Sequence, residues 1–175
     1  MKEKLLNDIS NAALELKSLY PKFHKIYVTA ESLTAGFIGA SIVEVPGSSA
    51  WFDRGFITYS NEAKMELLDV SETTLNTVGA VSEDTVKQMV SGALKHSSLA
   101  NVGVSVSGIA GPDGGSVRKP VGTVYMGLMV KGDKPYAYCH HFTGDREEIR
   151  LKTTLAAIIG LIAFTKGEKP NFDSI

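Results

Sequence analysis

The sequence predicts an α/β fold, a mixed sheet with helices on both faces. Three observations point there. Short apolar segments alternate with helical periodicity in the first two thirds of the chain. Two late apolar segments are joined by the polar turn Lys131-Gly132-Asp133-Lys134. Both ends carry long segments with apolar residues at helical spacing. Alternation implies parallel strands, and a short polar turn implies an antiparallel hairpin.

Each element follows from its own residues. Lys2 to Tyr20 places Leu5, Ile9, Ala12, Leu16 and Tyr20 on one helical face, and Pro21 should stop that helix. Lys25 to Ala30 reads as a buried strand, and Phe37 to Val43 as a helix. The chain therefore turns from strand to helix around Ser32. Phe52 to Tyr59 reads as a strand, and Asn61 to Leu68 as a short helix capped by Ser60 or Asn61. A helix runs from Ser82 to about His96. Asn101 to Ser107 alternates Val102, Val104 and Val106 on one face, which marks a strand. It runs into the glycine-rich GIAGPDGGS, residues 108 to 116. Gly122 to Val130 and Tyr136 to Phe142 form the hairpin. Asp145 and Glu148 make a capping-box start for the last helix, whose stripe is Leu151, Leu155, Ile158, Ile159 and Ile162.

Composition bounds the function. The 175 residues favour one domain spanning 1–175, and 43% hydrophobic residues suffice for a core. A net charge of −1 and no basic, aromatic-rich stripe argue against nucleic acid as a partner. The single cysteine, Cys139, cannot form an internal disulfide and fits a reducing, cytoplasmic setting. The start carries acids and does not read as a secretory signal. Leu155 to Phe164 is far shorter than the roughly 20 residues that span a bilayer, so no membrane partner is expected.

Few residues stand out chemically. A serine at a strand-to-helix turn, as Ser32 is placed, sits above the sheet edge near unpaired N–H groups that could hold an oxyanion or phosphate. It also reads as a plain N-cap. The loop 108–116 could bring main-chain donors close to a ligand or be an ordinary surface loop; it matches no Walker or dinucleotide fingerprint. Lys64 falls in the first turn of its helix, where the dipole disfavours a cation and lowers its pKa, as a lysine base requires; the alternative is a solvated lysine. Tyr59 ends the preceding strand beside it. Arg146 stands in a similar first turn, balanced by acidic neighbours or reaching for an anion. His140 and His141 are adjacent on a strand and point to opposite faces. With no HExxH or paired CxxC, neither a metal nor another cofactor is expected, and no GxSxG elbow is present.

The segments TAESLTAG (29–36), VPGSSAWFDRGFITYSNEAK (45–64), GAVSEDTV (79–86), VSGIAGPDGG (106–115), KPVGTVYMGL (119–128) and FTGDREEIR (142–150) together resemble the CinA C-terminal domain family, which includes the nicotinamide-nucleotide amidases. They follow the family's order along nearly the whole chain. The resemblance implies a three-layer α/β/α sandwich with a mixed, mostly parallel five-stranded sheet. It implies Ser32 as nucleophile, Lys64 as its base and Tyr59 as an assistant. Thr34, Ser48, Ser107, Gly108, Ala110, Gly111 and Arg146 would bind a nucleotide. Ala35 stands where the family more often has glycine, a change expected to do little harm because alanine is small and helix-forming. Ser107 stands where threonine is commoner, and the hydroxyl is kept. Longer relatives carry an additional N-terminal domain, and this chain is expected to lack it.

The implied reaction is hydrolysis of the carboxamide of nicotinamide mononucleotide by a serine–lysine pair, with the helix N-terminus after Ser32 holding the oxyanion. A homodimer is expected. Two other readings compete: a catalytically inactive nucleotide-binding or regulatory module, and an accessory protein of DNA uptake or repair.

Overall fold

Five strands form one sheet in the order β2-β1-β3-β4-β5 in the computed structural model, which describes residues 1–175. They are β1 (Tyr27–Glu31), β2 (Phe52–Ile57), β3 (Val102–Gly108), β4 (Thr123–Val130) and β5 (Tyr136–His141). β1 pairs in parallel with β2 and with β3, whereas β3–β4 and β4–β5 are antiparallel. Four strands therefore point one way and β4 alone runs back. The sheet is mostly parallel by strand direction, although its ladders divide evenly between the two kinds. Every residue of the interior strand β1 is buried, while the edge strand β2 is half exposed and turns Arg54 to solvent.

Helices cover both faces. α1 (Lys2–Phe23), α2 (Phe37–Val43) and α6 (Arg146–Lys166) enclose the larger core, with Leu16, Ile38, Val104, Met126 and Leu161 at its centre. α3 (Asn61–Leu68), α4 (Glu72–Thr77) and α5 (Glu83–Lys95) pack on the other face over Val28 and Ala30. The result is the expected three-layer sandwich. The capping box of α6 is present: Asp145 accepts from the Glu148 N–H at 2.9 Å, and Glu148 accepts from the Asp145 N–H at 3.0 Å.

Some boundaries differ from the expectation. α1 passes through Pro21 to Phe23. The proline forfeits one N–H bond, to the carbonyl of the exposed Lys17, which water can satisfy. The helix ends instead at His24, which is left-handed at φ 50°. α4 is not expected from the sequence, because six residues are too few for a helical period to register. Gly92 governs how closely two helices approach on the α3 side. A Cβ there would sit 1.9 Å from the Leu68 carbonyl oxygen. Glycine lets α5 press against the end of α3, the helix that carries Lys64.

Candidate active site

Ser32 follows β1 at the carboxyl edge of the parallel strands, and its N–H donates to the Val106 carbonyl at 3.2 Å. Strand alternation puts it on the same face as Val28 and Ala30, beneath α3 and α5. The chain leaves β2, reaches the N-cap Ser60, whose hydroxyl accepts from the Ala63 N–H at 3.0 Å, and turns into α3. Lys64 then folds back over the strand end. Its Nζ lies 3.0 Å from Ser32 Oγ, 2.8 Å from the Thr58 carbonyl oxygen and 3.1 Å from the Tyr59 carbonyl oxygen.

Lys64 is 1% exposed and makes no salt bridge. Burial lowers its pKa from 10.5 to about 8. The sequence suggests a low pKa from the helix dipole; the operative cause is desolvation, which penalises the ammonium form. The acceptor set then decides what the neutral amine does. Carbonyl oxygens cannot donate, so the two remaining N–H bonds go to Thr58 and Tyr59. The lone pair is left facing the Ser32 hydroxyl.

The turn after Ser32 corrects two expectations. Ser32 does not cap α2; Gly36 does, with φ 94°. The N-terminus of α2 is also not free to hold an oxyanion, because Glu31 fills it. The Glu31 carboxylate, 1% exposed, accepts from the N–H groups of Gly36 at 3.0 Å, Ile38 at 3.1 Å and Gly39 at 2.9 Å. It also accepts from Thr29 Oγ1 at 3.0 Å and Thr34 Oγ1 at 2.7 Å. A negative charge already sits on the positive end of the dipole. Ahead of it, residues 32 to 35 form a tight turn closed by Ala35 N–H to the Ser32 carbonyl at 3.1 Å. The N–H groups of Leu33 and Thr34 inside this turn meet no acceptor of the chain. They, rather than the N–H groups of the helix terminus, are left without an acceptor. Ala35 is left-handed at φ 51°, so its helix propensity is irrelevant and the conformation suits glycine better.

The other expected residues divide. Ser107 lies beside Ser32, since Val106 and Glu31 are paired in the ladder and each precedes one of the two serines. The residue is 1% exposed, and its hydroxyl makes no hydrogen bond within the chain. Gly108 ends β3, where a Cβ would meet Val124 Cγ2 at 2.6 Å. The N–H groups of Ala110 and Gly111 have no acceptor. Arg146 donates to the Gly111 carbonyl at 2.7 Å, which ties α6 to the glycine-rich loop. Thr34 commits its hydroxyl to Glu31, and its N–H has no acceptor in the chain. The Tyr59 phenol is exposed; only its carbonyl reaches Lys64. Ser48 is not brought to this site within one chain. It opens a short 3-10 turn, Ser48–Ala50, just ahead of Trp51, whose carbonyl accepts from the Tyr27 N–H at the opposite end of β1.

Arg150 is a functional candidate that the sequence does not single out. It donates from Nε to the Leu33 carbonyl at 2.8 Å and from an Nη to the Thr34 carbonyl at 3.2 Å. Its i, i+4 spacing from Arg146 is the signal that could have found it. A cavity of about 540 Å³ lies elsewhere, between β5 and the end of α6, lined by Tyr136, Tyr138, Phe164 and Lys169. It brings no nucleophile and base together. No three His, Cys, Asp or Glu side chains gather as metal ligands. No helix is long and apolar enough to cross a membrane.

Comparison with known proteins bears on this geometry. The model of the CinA C-terminal domain matches residues 10–165. The chain is 50% identical over 161 residues to a nicotinamide-nucleotide amidohydrolase PncC of Enterobacter agglomerans, covering 90% of this chain and 94% of that protein. It is 45% identical over 157 residues to the protein of the same name from Pseudomonas putida, covering 90% and 97%. The crystal structure of the competence/damage inducible protein CihA from Agrobacterium tumefaciens superposes with a TM-score of 0.86 at 43% identity, covering 89% and 94% of the two chains.

Proposed function

The chain belongs to the CinA C-terminal domain family, and on that premise we propose that it is an amidohydrolase that deamidates nicotinamide mononucleotide to nicotinate mononucleotide and ammonia, in pyridine nucleotide recycling. The observation that carries the mechanism is the 3.0 Å approach of Lys64 Nζ to Ser32 Oγ, with two carbonyls fixing the amine's other directions.

The neutral amine of Lys64 takes the Ser32 proton as Oγ bonds to the carboxamide carbon. The carbonyl electron pair moves onto oxygen, which the free N–H groups after Ser32 receive. The pair returns, the C–N bond breaks, and the nitrogen leaves as ammonia with the proton held by Lys64. Water then adds to the acyl-enzyme and gives a proton to Lys64; as the ester C–O bond breaks Lys64 returns that proton to Ser32 Oγ, and the acid product leaves as its carboxylate, its remaining proton passing to solvent. Neither step draws on histidine, metal or other cofactor.

Ser107, Gly108, Ala110, Gly111 and Arg146 line the nucleotide side in this reading, and Thr34 acts through its N–H. Tyr59 assists through the carbonyl that orients Lys64. Ser48 can serve only from a second copy of the chain, which a homodimer would supply. Sedimentation velocity tests the association. A cytoplasmic setting and one functional domain, without nucleic-acid or membrane partners, complete the proposal.

Purified protein incubated with nicotinamide mononucleotide should release ammonia, and Ser32→Ala should lose that release by several orders of magnitude. Tight binding of the nucleotide without ammonia release would instead make the chain a non-catalytic nucleotide-binding module.

A further inference from the structure

We propose that Arg150 is the positioning residue of the oxyanion site, acting through the peptide groups that follow Ser32. The inference rests on the serine–lysine reading of the site and extends it to a residue with no role there.

The geometry is specific. Arg150 spans two successive carbonyls, Leu33 at 2.8 Å from Nε and Thr34 at 3.2 Å from an Nη. The Leu33–Thr34 bond is trans. In a trans peptide the C=O and N–H point in opposite directions. Holding the Leu33 carbonyl towards Arg150 therefore aims the Thr34 N–H away from it, and that N–H meets no acceptor of the chain although Thr34 is fully buried. A buried N–H without a partner is costly and uncommon in a folded protein. A bound anion or oxyanion would satisfy it.

Neighbouring contacts restrict the turn further. The Thr34 hydroxyl is committed to Glu31, and the Ala35 N–H to the Ser32 carbonyl. The only hydrogen bond to the peptide group between Leu33 and Thr34 itself comes from the guanidinium. The positive charge on its carbonyl side also polarises it and strengthens the N–H as a donor. Arginine suits this task because its planar fork reaches two acceptors at once, which an ammonium does less well. Arg150 sits one helical turn after Arg146, which holds the Gly111 carbonyl. The first turns of α6 thus grip both loops of the site by their carbonyls, leaving N–H groups free at Leu33, Thr34, Ala110 and Gly111.

The test uses the whole protein with two readouts: ammonia release from nicotinamide mononucleotide, and phosphonylation of Ser32 by a fluorophosphonate, whose oxygen needs the same donors. Arg150→Ala should lower kcat and the phosphonylation rate about 100-fold each, the scale of a lost oxyanion donor, with KM changed less than threefold. Free guanidinium at millimolar concentration should restore part of both rates. Arg150→Lys, which keeps the stem and charge, should fall between the two and guards against loss of folding. Wild-type rates in both variants, or a loss confined to KM, would overturn the proposal. The same holds for a loss that guanidinium cannot restore in a variant of unchanged melting temperature. A wild-type protein that phosphonylates at Ser32 but releases no ammonia would refute the substrate assignment alone, and the Arg150 comparison would still decide the inference. A wild-type protein inert in both assays would overturn the serine–lysine reading and the inference with it.

Discussion

Lys64 approaches Ser32 with its amine nitrogen 3.0 Å from the hydroxyl oxygen, and no carboxylate bonds to either group. The pair is isolated from compensating charge. Burial therefore acts on the lysine without opposition, and the neutral amine becomes accessible near physiological pH.

The same burial has a consequence for stability. The folded pKa of Lys64, about 8, lies below its ordinary value of 10.5. Between those limits the unfolded chain binds more protons, so stability rises with pH across this window by about 3 kcal/mol at most. Below pH 8 the penalty is fully present. Lys64→Met should abolish this rise, and urea unfolding of both proteins at pH 7.5 and pH 10 measures it. Equal responses to pH would contradict the buried amine.

Glu31 anchors the turn from below. Glu31→Gln replaces one acceptor oxygen with a donor among three N–H groups and two threonine hydroxyls. A loss of about 3 kcal/mol in urea unfolding is expected, the scale of a charged acceptor removed from buried donors. Unchanged stability would mean that the α2 terminus does not depend on the carboxylate.

Ala35 holds a left-handed conformation, φ 51°, on an exposed site. Ala35→Gly should stabilise the protein by about 1 kcal/mol, because the strain outweighs glycine's extra unfolded-state entropy. A higher melting temperature with unchanged kcat is expected, and a lower one would refute the strain.

Arg146 ties α6 to the glycine-rich loop. Arg146→Ala should raise KM for the nucleotide roughly tenfold or more, as loss of a charge-assisted contact does, while kcat changes less. A fall in kcat at constant KM would place Arg146 in the chemistry instead. Steady-state kinetics distinguishes the two.

Much of this architecture is legible in the sequence because it is written in local patterns. The capping box at Asp145 and Glu148, the helix opened by Ser60 and the valine alternation at 102–106 each specify themselves within a few residues. Lys64 is legible as an oddity of charge in a first helical turn, although its pKa is set by packing that no local pattern records. Ser32 is legible too, but its turn is not. A serine before a helix resembles a cap, and only the fold reveals that Glu31 reaches past it to bind α2. Arg150 is hidden for a related reason. Its partners are carbonyls more than 100 residues away, and backbone acceptors leave no trace in side-chain identity. Ser48 is assigned to the site by resemblance, whereas the chain path carries it to the far end of β1.

The pH dependence of kcat/KM for ammonia release reports the protonation of Lys64 during turnover. Activity should rise tenfold per pH unit from pH 6 and level off above about pH 8, as Lys64 loses its proton. Lys64→Ala should be slower by several orders of magnitude at every pH. A wild-type profile flat from pH 6 to 9, or Lys64→Ala working at the wild-type rate, would contradict an unprotonated lysine as the base for Ser32.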